Sequence, residues 1–174
     1  MNTKLKYILG LTVCLMLVAL NTKAQKFGYV DSGAILESLP KVKEAESNLD
    51  ALNKQLQAKG QKMMEDFQAK YEELQRRVQA GDITPKDQET QSAALEEQRQ
   101  KIVQYDQDMQ SQLADKRDTL LAPILKEVKT AIQTVAKDNG YTYVFDGSPG
   151  VGVLLYADET TNLTALVKEK LGVK

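Results

Sequence analysis

From Val42 the apolar residues fall at positions 42, 45, 49, 52 and 56, a spacing of 3, 4, 3, 4. That is the stripe one helix turns toward another in a coiled coil. It continues through Met63, Phe67, Tyr71, Leu74 and Val78. The 11-residue step from Leu56 to Phe67 is a stutter, which locally unwinds a supercoil. Gly60 lies inside that step and weakens the helix by about 1 kcal/mol relative to Ala. A sparser stripe follows at Leu95, Ile102, Tyr105, Met109 and Leu113. Between the two stripes stands a stop-and-restart signal. Gly81 suits a helix end with positive φ, Thr84 suits a cap, Pro85 a first helical position, and Asp87 a capping acid. The pattern predicts an antiparallel helical hairpin over residues 41–122, with its tip at residues 80–84.

The flanks read differently. Residues 26–31, "KFGYVD", predict a strand, and Ser32 offers an N-cap to a short helix carrying Ile35, Leu36 and Leu39. Pro40, with Ser38 as a cap before it, starts a new helix direction. The second hairpin helix runs from Pro85 to about Asn139 and meets Pro123, which removes a hydrogen bond and kinks it. Folding the chain back about Gly81-Asp82 places Pro40 opposite Pro123, so both helices change direction at one level. Pro40 and Pro123 are therefore the candidate hinge. Beyond Pro123 the face Ile124, Leu125, Val128, Ala131, Ile132 and Val135 is denser in apolar residues than the hairpin. Asn139-Gly140 ends the helix, and "YTYVFD" and "VGVLLY" predict two strands joined as a hairpin by the glycine-rich "GSPGVG". Leu163, Leu166, Val167 and Leu171 predict a closing amphipathic helix. The expected fold class is mainly α with a small antiparallel β body (α+β), the body comprising residues 25–40 and 123–174.

Two magnitudes make the hairpin protrude. A compact domain of about 150 residues spans roughly 40 Å, whereas a helix over residues 41–79 measures about 58 Å. Between Pro85 and Thr119 there are six large apolar residues in 35, where a core-facing helix uses about 15 and a strict coiled-coil seam about 10. The hairpin is underpacked and wet on most sides. The body, at under about 70 residues, is marginal by itself and would leave strand edges open. Oligomerisation through the body answers both problems.

Composition adds a compartment. Lys4 and Lys6, the apolar run Tyr7 to Leu20, and Thr22-Lys23-Ala24 form a secretory signal peptide over residues 1–24, cleaved near Ala24-Gln25. The single cysteine, Cys14, lies in that run, and bulky Val13 before it argues against a lipid-attachment site. The full chain has 23 Lys+Arg and 24 Asp+Glu; losing Lys4, Lys6 and Lys23 leaves 20 against 24, a net charge of −4. The remainder has no Cys and no His, so stability rests on packing and assembly. Cys- and His-based nucleophilic catalysis and the usual zinc sites lack their side chains. The abundant carboxylates read as solvated faces and partners of Lys on helices. "GSPGVG" lacks the Lys-Ser/Thr ending of a phosphate loop, so no nucleotide, cofactor, metal or nucleic-acid site is expected, and the chain is not read as an enzyme.

"FGYVDSGAILESLP", the long Gln/Lys/Glu-rich hairpin, "LLAPILKEVKTAIQTVAKDNGYTYVFD" and "VLLYADETTNLTALVKEKL" together resemble the Skp/OmpH family of periplasmic chaperones. The resemblance spans the chain after its leader, and the terminal segments are its specific part. It implies a jellyfish-like homotrimer in the periplasm, with helical arms around a cavity that holds unfolded outer-membrane β-barrel proteins without ATP. The candidate client contacts on the arm are Met63, Met64, Phe67, Tyr71, Leu74, Val78, Ile102, Val103, Tyr105 and Met109. Met adapts its shape to irregular partners, and Met64 and Val103 lie beside the stripe, where exposure is expected. The candidate oligomerisation residues are Phe27, Tyr29, Val30, Ile35, Leu36, Ile124, Val128, Ile132, Val144, Phe145, Leu154 and Tyr156. Family members with basic arms favour acidic clients and anionic lipid, but residues 70–99 here hold five basic and seven acidic side chains. Membrane or lipopolysaccharide contact is not carried over. The rival reading is a structural or adaptor coiled-coil protein of the cell envelope.

Overall fold

The computed structural model describes residues 25–173. Residues 1–24, expected to be a signal peptide and containing Cys14, lie outside the described residues. Along the chain come β1 (Phe27–Val30), α1 (Ser32–Ser38), α2 (Pro40–Ala80), α3 (Pro85–Asp138), β2 (Tyr143–Asp146), a 3-10 turn (Glu159–Thr161) and α4 (Thr164–Lys170). They form two compact units: residues 25–34 with 131–172, and residues 35–130.

Residues 35–130 hold the hairpin. α2 is 41 residues long, about 61 Å at 1.5 Å per residue. It ends as the local chemistry demands. Gly81 has φ 71°, its N–H donates to the Val78 carbonyl, and the Asp82 N–H reaches back to Arg77 at 3.0 Å. That pair of bonds is a Schellman motif, which satisfies carbonyls the helix leaves open. The restart follows three residues later: Thr84 Oγ1 accepts the Asp87 N–H at 3.1 Å and donates to the Asp87 carboxylate at 2.7 Å. Two expected caps are used otherwise. Asp31, not Ser32, caps α1, its carboxylate accepting the Ala34 N–H at 2.8 Å. Ser38 turns its hydroxyl back onto the Ile35 carbonyl at 2.6 Å, so α2 begins at Pro40 with no side-chain cap. α3 passes through Pro123 as one assigned helix. Ile35, Leu39, Val42, Ala45, Ile124 and Val128 are buried, which gives the base of the hairpin a denser core than its shaft.

The other unit departs from expectation. β1 and β2 pair in parallel, with Phe27 opposite Tyr143 and Val30 opposite Asp146; the predicted antiparallel pairing does not form. The physical cause is the connection. Parallel strands need a long crossover, and here the entire helical hairpin is that crossover. The third predicted strand, residues 151–156, is absent as well. Gly150 and Gly152 take φ of 91° and 69°, a left-handed backbone that breaks an extended run. The far edge of β1 is already engaged, for the Tyr29 carbonyl accepts the Leu163 N–H at 2.8 Å. "GSPGVG" is accordingly a turn, not a strand-to-strand hairpin. Gly140, with φ 71°, repeats the Schellman geometry at the end of α3, Tyr141 N–H meeting the Ala136 carbonyl at 2.8 Å. Val30, Ala131, Val135, Leu163 and Val167 are the buried apolar residues of this unit. Thr164 Oγ1 accepts the Asp31 N–H at 2.9 Å and ties α4 to the end of β1.

Candidate functional site

On the hairpin, burial sorts the stripe residues into two sets. Leu56, Leu74, Leu95, Ile102 and Tyr105 are buried between the helices, and Met63, Phe67 and Met109 are half-buried. Met64 is 53 % exposed and Val103 52 %, as their positions beside the stripe predict. Tyr71 and Val78 are exposed too. Met64, Tyr71 and Val78 are spaced by seven, which keeps them on one face of α2. Phe67 stacks on Tyr71 with ring centroids 6.3 Å apart. A shallow groove of about 270 Å³ beside this pair is lined from the other helix by Ser92, Glu96 and Arg99; Val103, one turn beyond Arg99, continues that face. Leu74, Ile102 and Tyr105 are thus seam residues, while Met64, Tyr71 and Val78 are exposed along one face of α2, half-buried Phe67 stacks beside them, and Val103 is exposed on α3.

Charged side chains flank these apolar residues, some of them in pairs. Arg99 donates twice to Glu96, at 2.7 and 3.0 Å, and this pairing lowers the Glu96 carboxyl and raises the Arg99 guanidinium. Among the described residues, four of the five ion pairs lie within one helix; only Lys41–Glu127, at 2.7 Å, bridges the hairpin. Such exposed pairs are screened by water and do little to hold the helices together. The helices are therefore held by a thin apolar seam. Where Ala69 and Ala94 supply no bulk, a cavity of about 760 Å³ opens beside Leu95.

In the other unit, alternation along the strands puts Phe27, Tyr143 and Phe145 on one sheet face. Phe27 stacks on Tyr143 at 5.6 Å and on Phe145 at 6.3 Å, and all three remain exposed. The opposite face holds Gly28 and Val30, both buried. Gly28 is required there: a Cβ would stand 2.8 Å from the Tyr141 ring. In the segment after β2, Leu155 is 100 % exposed and Tyr156 87 %.

The family described as outer membrane protein (OmpH-like) matches residues 26–171. The chain belongs to that family. A crystal structure of a proposed outer membrane chaperone (OmpH-like) from Caulobacter crescentus CB15 is similar in fold, with a TM-score of 0.71 at 16 % identity over 87 % of this chain and 86 % of that one. No curated protein sequence matches the chain.

Within this OmpH-like chain the oligomerisation candidates also divide. Val30, Ile35, Ile124 and Val128 are buried within the chain, and Tyr29, Leu36, Ile132, Val144 and Leu154 are half-buried. Phe27, Phe145 and Tyr156 are exposed. Sequence reasoning missed Tyr143, and also Val151, Val153 and Leu155, which are exposed. The signal for Tyr143 was present, since it alternates with Phe145 and so shares its face. "VGVLLY" predicts a strand over residues 151–156; without that strand Val151, Val153 and Leu155 stay exposed. Among the described residues no helix is long and apolar enough to cross a membrane, and no cluster of three or more His, Cys, Asp or Glu could hold a metal.

Proposed function

We propose that this OmpH-like protein is an ATP-independent holdase of the periplasm, which keeps unfolded outer-membrane β-barrel proteins from aggregating. The single observation that carries the reading is the set of exposed apolar side chains Met64, Tyr71 and Val78 on one face of α2 and Val103 on α3, on a hairpin whose own seam is thin. A coiled coil built as a rod hides such residues. Here they give the hairpin an adaptable apolar surface between charged flanks, suited to many weak contacts with apolar segments. Family membership and the fold of the Caulobacter protein support a chaperone-type role.

The exposed stack of Phe27, Tyr143 and Phe145, with Leu155 and Tyr156, supports assembly through the sheet-bearing unit. A two-stranded sheet is marginal alone, and contiguous exposed aromatics mark interfaces. We take the assembly to be a homotrimer, as the resemblance implies. Several arms on one body raise effective concentration, so weak contacts sum to a useful hold while each releases quickly. Pro40 and Pro123 are the proposed hinge at the base of each arm.

The test shortens the arm symmetrically. Deleting Ala58–Val78 together with Lys86–Asp106 takes three heptads from each helix and keeps Gln79–Pro85 as the turn. The shortened protein should remain the same oligomer in analytical ultracentrifugation. It should no longer stop a urea-diluted outer-membrane barrel protein from aggregating, whereas the full-length protein does so without ATP. Equal protection by both makes the arms spacers and ends the holdase reading.

A further inference from the structure

Tyr105 is the one aromatic side chain buried in the seam, and its polar end points into the facing helix. Its hydroxyl donates to the Leu56 carbonyl at 2.8 Å, and the bond is buried. Leu56 is four residues before Gly60, so its carbonyl is also the acceptor that the α-helical ladder assigns to the Gly60 N–H. Gly60 itself is shaped to the ring, since a Cβ there would lie 3.3 Å from Tyr105 Cε1. Lys59 places its Nζ 5.0 Å from the same ring. These contacts coincide with the 11-residue stutter from Leu56 to Phe67, where the apolar stripe loses its regular period. Two other side-chain bonds cross between these helices, Lys70 to Gln98 at 3.0 Å and Lys41 to Glu127 at 2.7 Å, and both are exposed.

We propose that Gly60 and Tyr105 form a latched hinge in the shaft of the hairpin: Gly60 is where α2 bends, and the Tyr105 hydroxyl on Leu56 holds it straight. The side-chain ring fills the space that Gly60 leaves, so the latched state is packed. When the hydroxyl lets go, the helix keeps its own Gly60-to-Leu56 bond but loses its tie to α3, at the residue with the poorest helix propensity short of proline. Bending there swings the tip-ward apolar residues, Met64 to Val78, as one piece. This hinge lies within the shaft and is separate from the prolines at the base. It stands whether or not the arm grips a client.

The experiment measures bending directly. After the leader the chain has no cysteine, so spin labels can be placed at chosen pairs without background. Labels at Glu46 and Gln79 straddle Gly60 at about 50 Å along a straight helix, and labels at Glu65 and Gln79 lie wholly on the tip side at about 21 Å. Labelled protein is diluted in unlabelled protein, so that only distances within one chain are read. Tyr105→Phe keeps the ring and removes the hydroxyl. It should raise the short-distance, bent fraction of the 46–79 pair about fivefold, the worth of one net hydrogen bond, and leave the 65–79 pair unchanged. Adding Gly60→Ala should return the 46–79 pair to a narrow distribution, because the Phe ring can move aside and Ala stiffens the helix. An unchanged 46–79 distribution in Tyr105→Phe overturns the latch. Broadening of both pairs, or no recovery with Gly60→Ala, overturns the placement of the hinge at Gly60.

Discussion

Asp146 Oδ2 accepts the Ser32 hydroxyl proton at 2.5 Å, joining the end of β2 to the first turn of α1 across 114 residues of chain. The same carboxylate takes the Ser148 hydroxyl at 2.6 Å and the Ser148 N–H at 3.0 Å. Ser148 Oγ in turn accepts the Gly33 N–H at 3.0 Å. One acid thus closes the small sheet-bearing unit where β1 leads into the helices.

This carboxylate makes that unit acid-sensitive. Burial pushes Asp146 up, but the donors from Ser148 and Ser32 together outweigh it and hold the carboxyl below the ordinary range. A folded-state value below the unfolded one gives stability that is complete above about pH 4. It is lost as pH falls through the folded value. Asp146→Asn removes the charge and should cost about 1–3 kcal/mol at pH 7. Circular-dichroism melts at pH 7 and pH 3 check this: the gap between wild type and variant should narrow in acid. An equal gap at both pH values would assign the loss to shape, not charge.

The proposed assembly through the aromatic stack can be tested apart from folding. Phe145 is exposed on the sheet face opposite Gly28 and Val30, so Phe145→Asp leaves the buried side intact. It should dissociate the oligomer while keeping the helical circular-dichroism signal. Val128 is 4 % exposed, and Val128→Asp buries an unpaired charge at a cost of several kcal/mol; it should lose helix and oligomer together. Sedimentation velocity beside circular dichroism distinguishes the two. A Phe145→Asp oligomer of normal size would show that the stack faces solvent for another reason.

What could be read from the chain follows how local its cause is. The tip was legible because Gly81, Thr84, Pro85 and Asp87 each act within one turn, and the structure uses all four in the expected roles. Folding back about the tip predicts residue 58 opposite Tyr105, and Tyr105 touches Leu56 and Gly60. The sheet was misread because strand direction is set by a partner more than a hundred residues away. "VGVLLY" has strand composition, yet nothing in its own six residues says whether an edge is available. Ser32 was a sound cap by type, but Asp31 stood one residue earlier and Asp146 drew the serine away. On the arm, a heptad stripe marks which residues face the other helix. It does not say how far a thin seam closes over them, so Leu74 and Tyr71 look alike in sequence and differ in burial.

The prolines at the base make a mechanical prediction. Lys41 Nζ meets Glu127 Oε2 at 2.7 Å, which sets the first turn of α2 beside α3 one turn past Pro123. Pro123 has no N–H to give the Thr119 carbonyl, leaving the helix compliant there. Pro123→Ala restores that bond. In the oligomer, spin labels at Ile83 on the tips should then report a narrower spread of tip-to-tip distances. Distributions that overlay those of the parent protein would leave the prolines without a joint role.

The exposed apolar residues of the hairpin should matter to clients and not to the fold. Met64, Tyr71 and Val103 carry little of the seam, so replacing all three by Ser should shift the melting midpoint by no more than a few degrees. Surface substitutions of this kind stay within about 0.5 kcal/mol each. Leu74→Ser, at a buried position, should destabilise the hairpin by about 2–5 kcal/mol through the cavity it leaves. The informative comparison is protection of an unfolded barrel protein, read by light scattering with each variant at the same oligomer concentration. The triple variant should protect several-fold less than wild type despite its intact fold. Its residual activity and that of wild type should both change little between 50 and 500 mM salt, because apolar contacts are not screened while ion pairs are. Full protection by the triple variant would take these residues out of client binding. A steep fall with salt would mean that the charged flanks, not Met64, Tyr71 and Val103, hold the client.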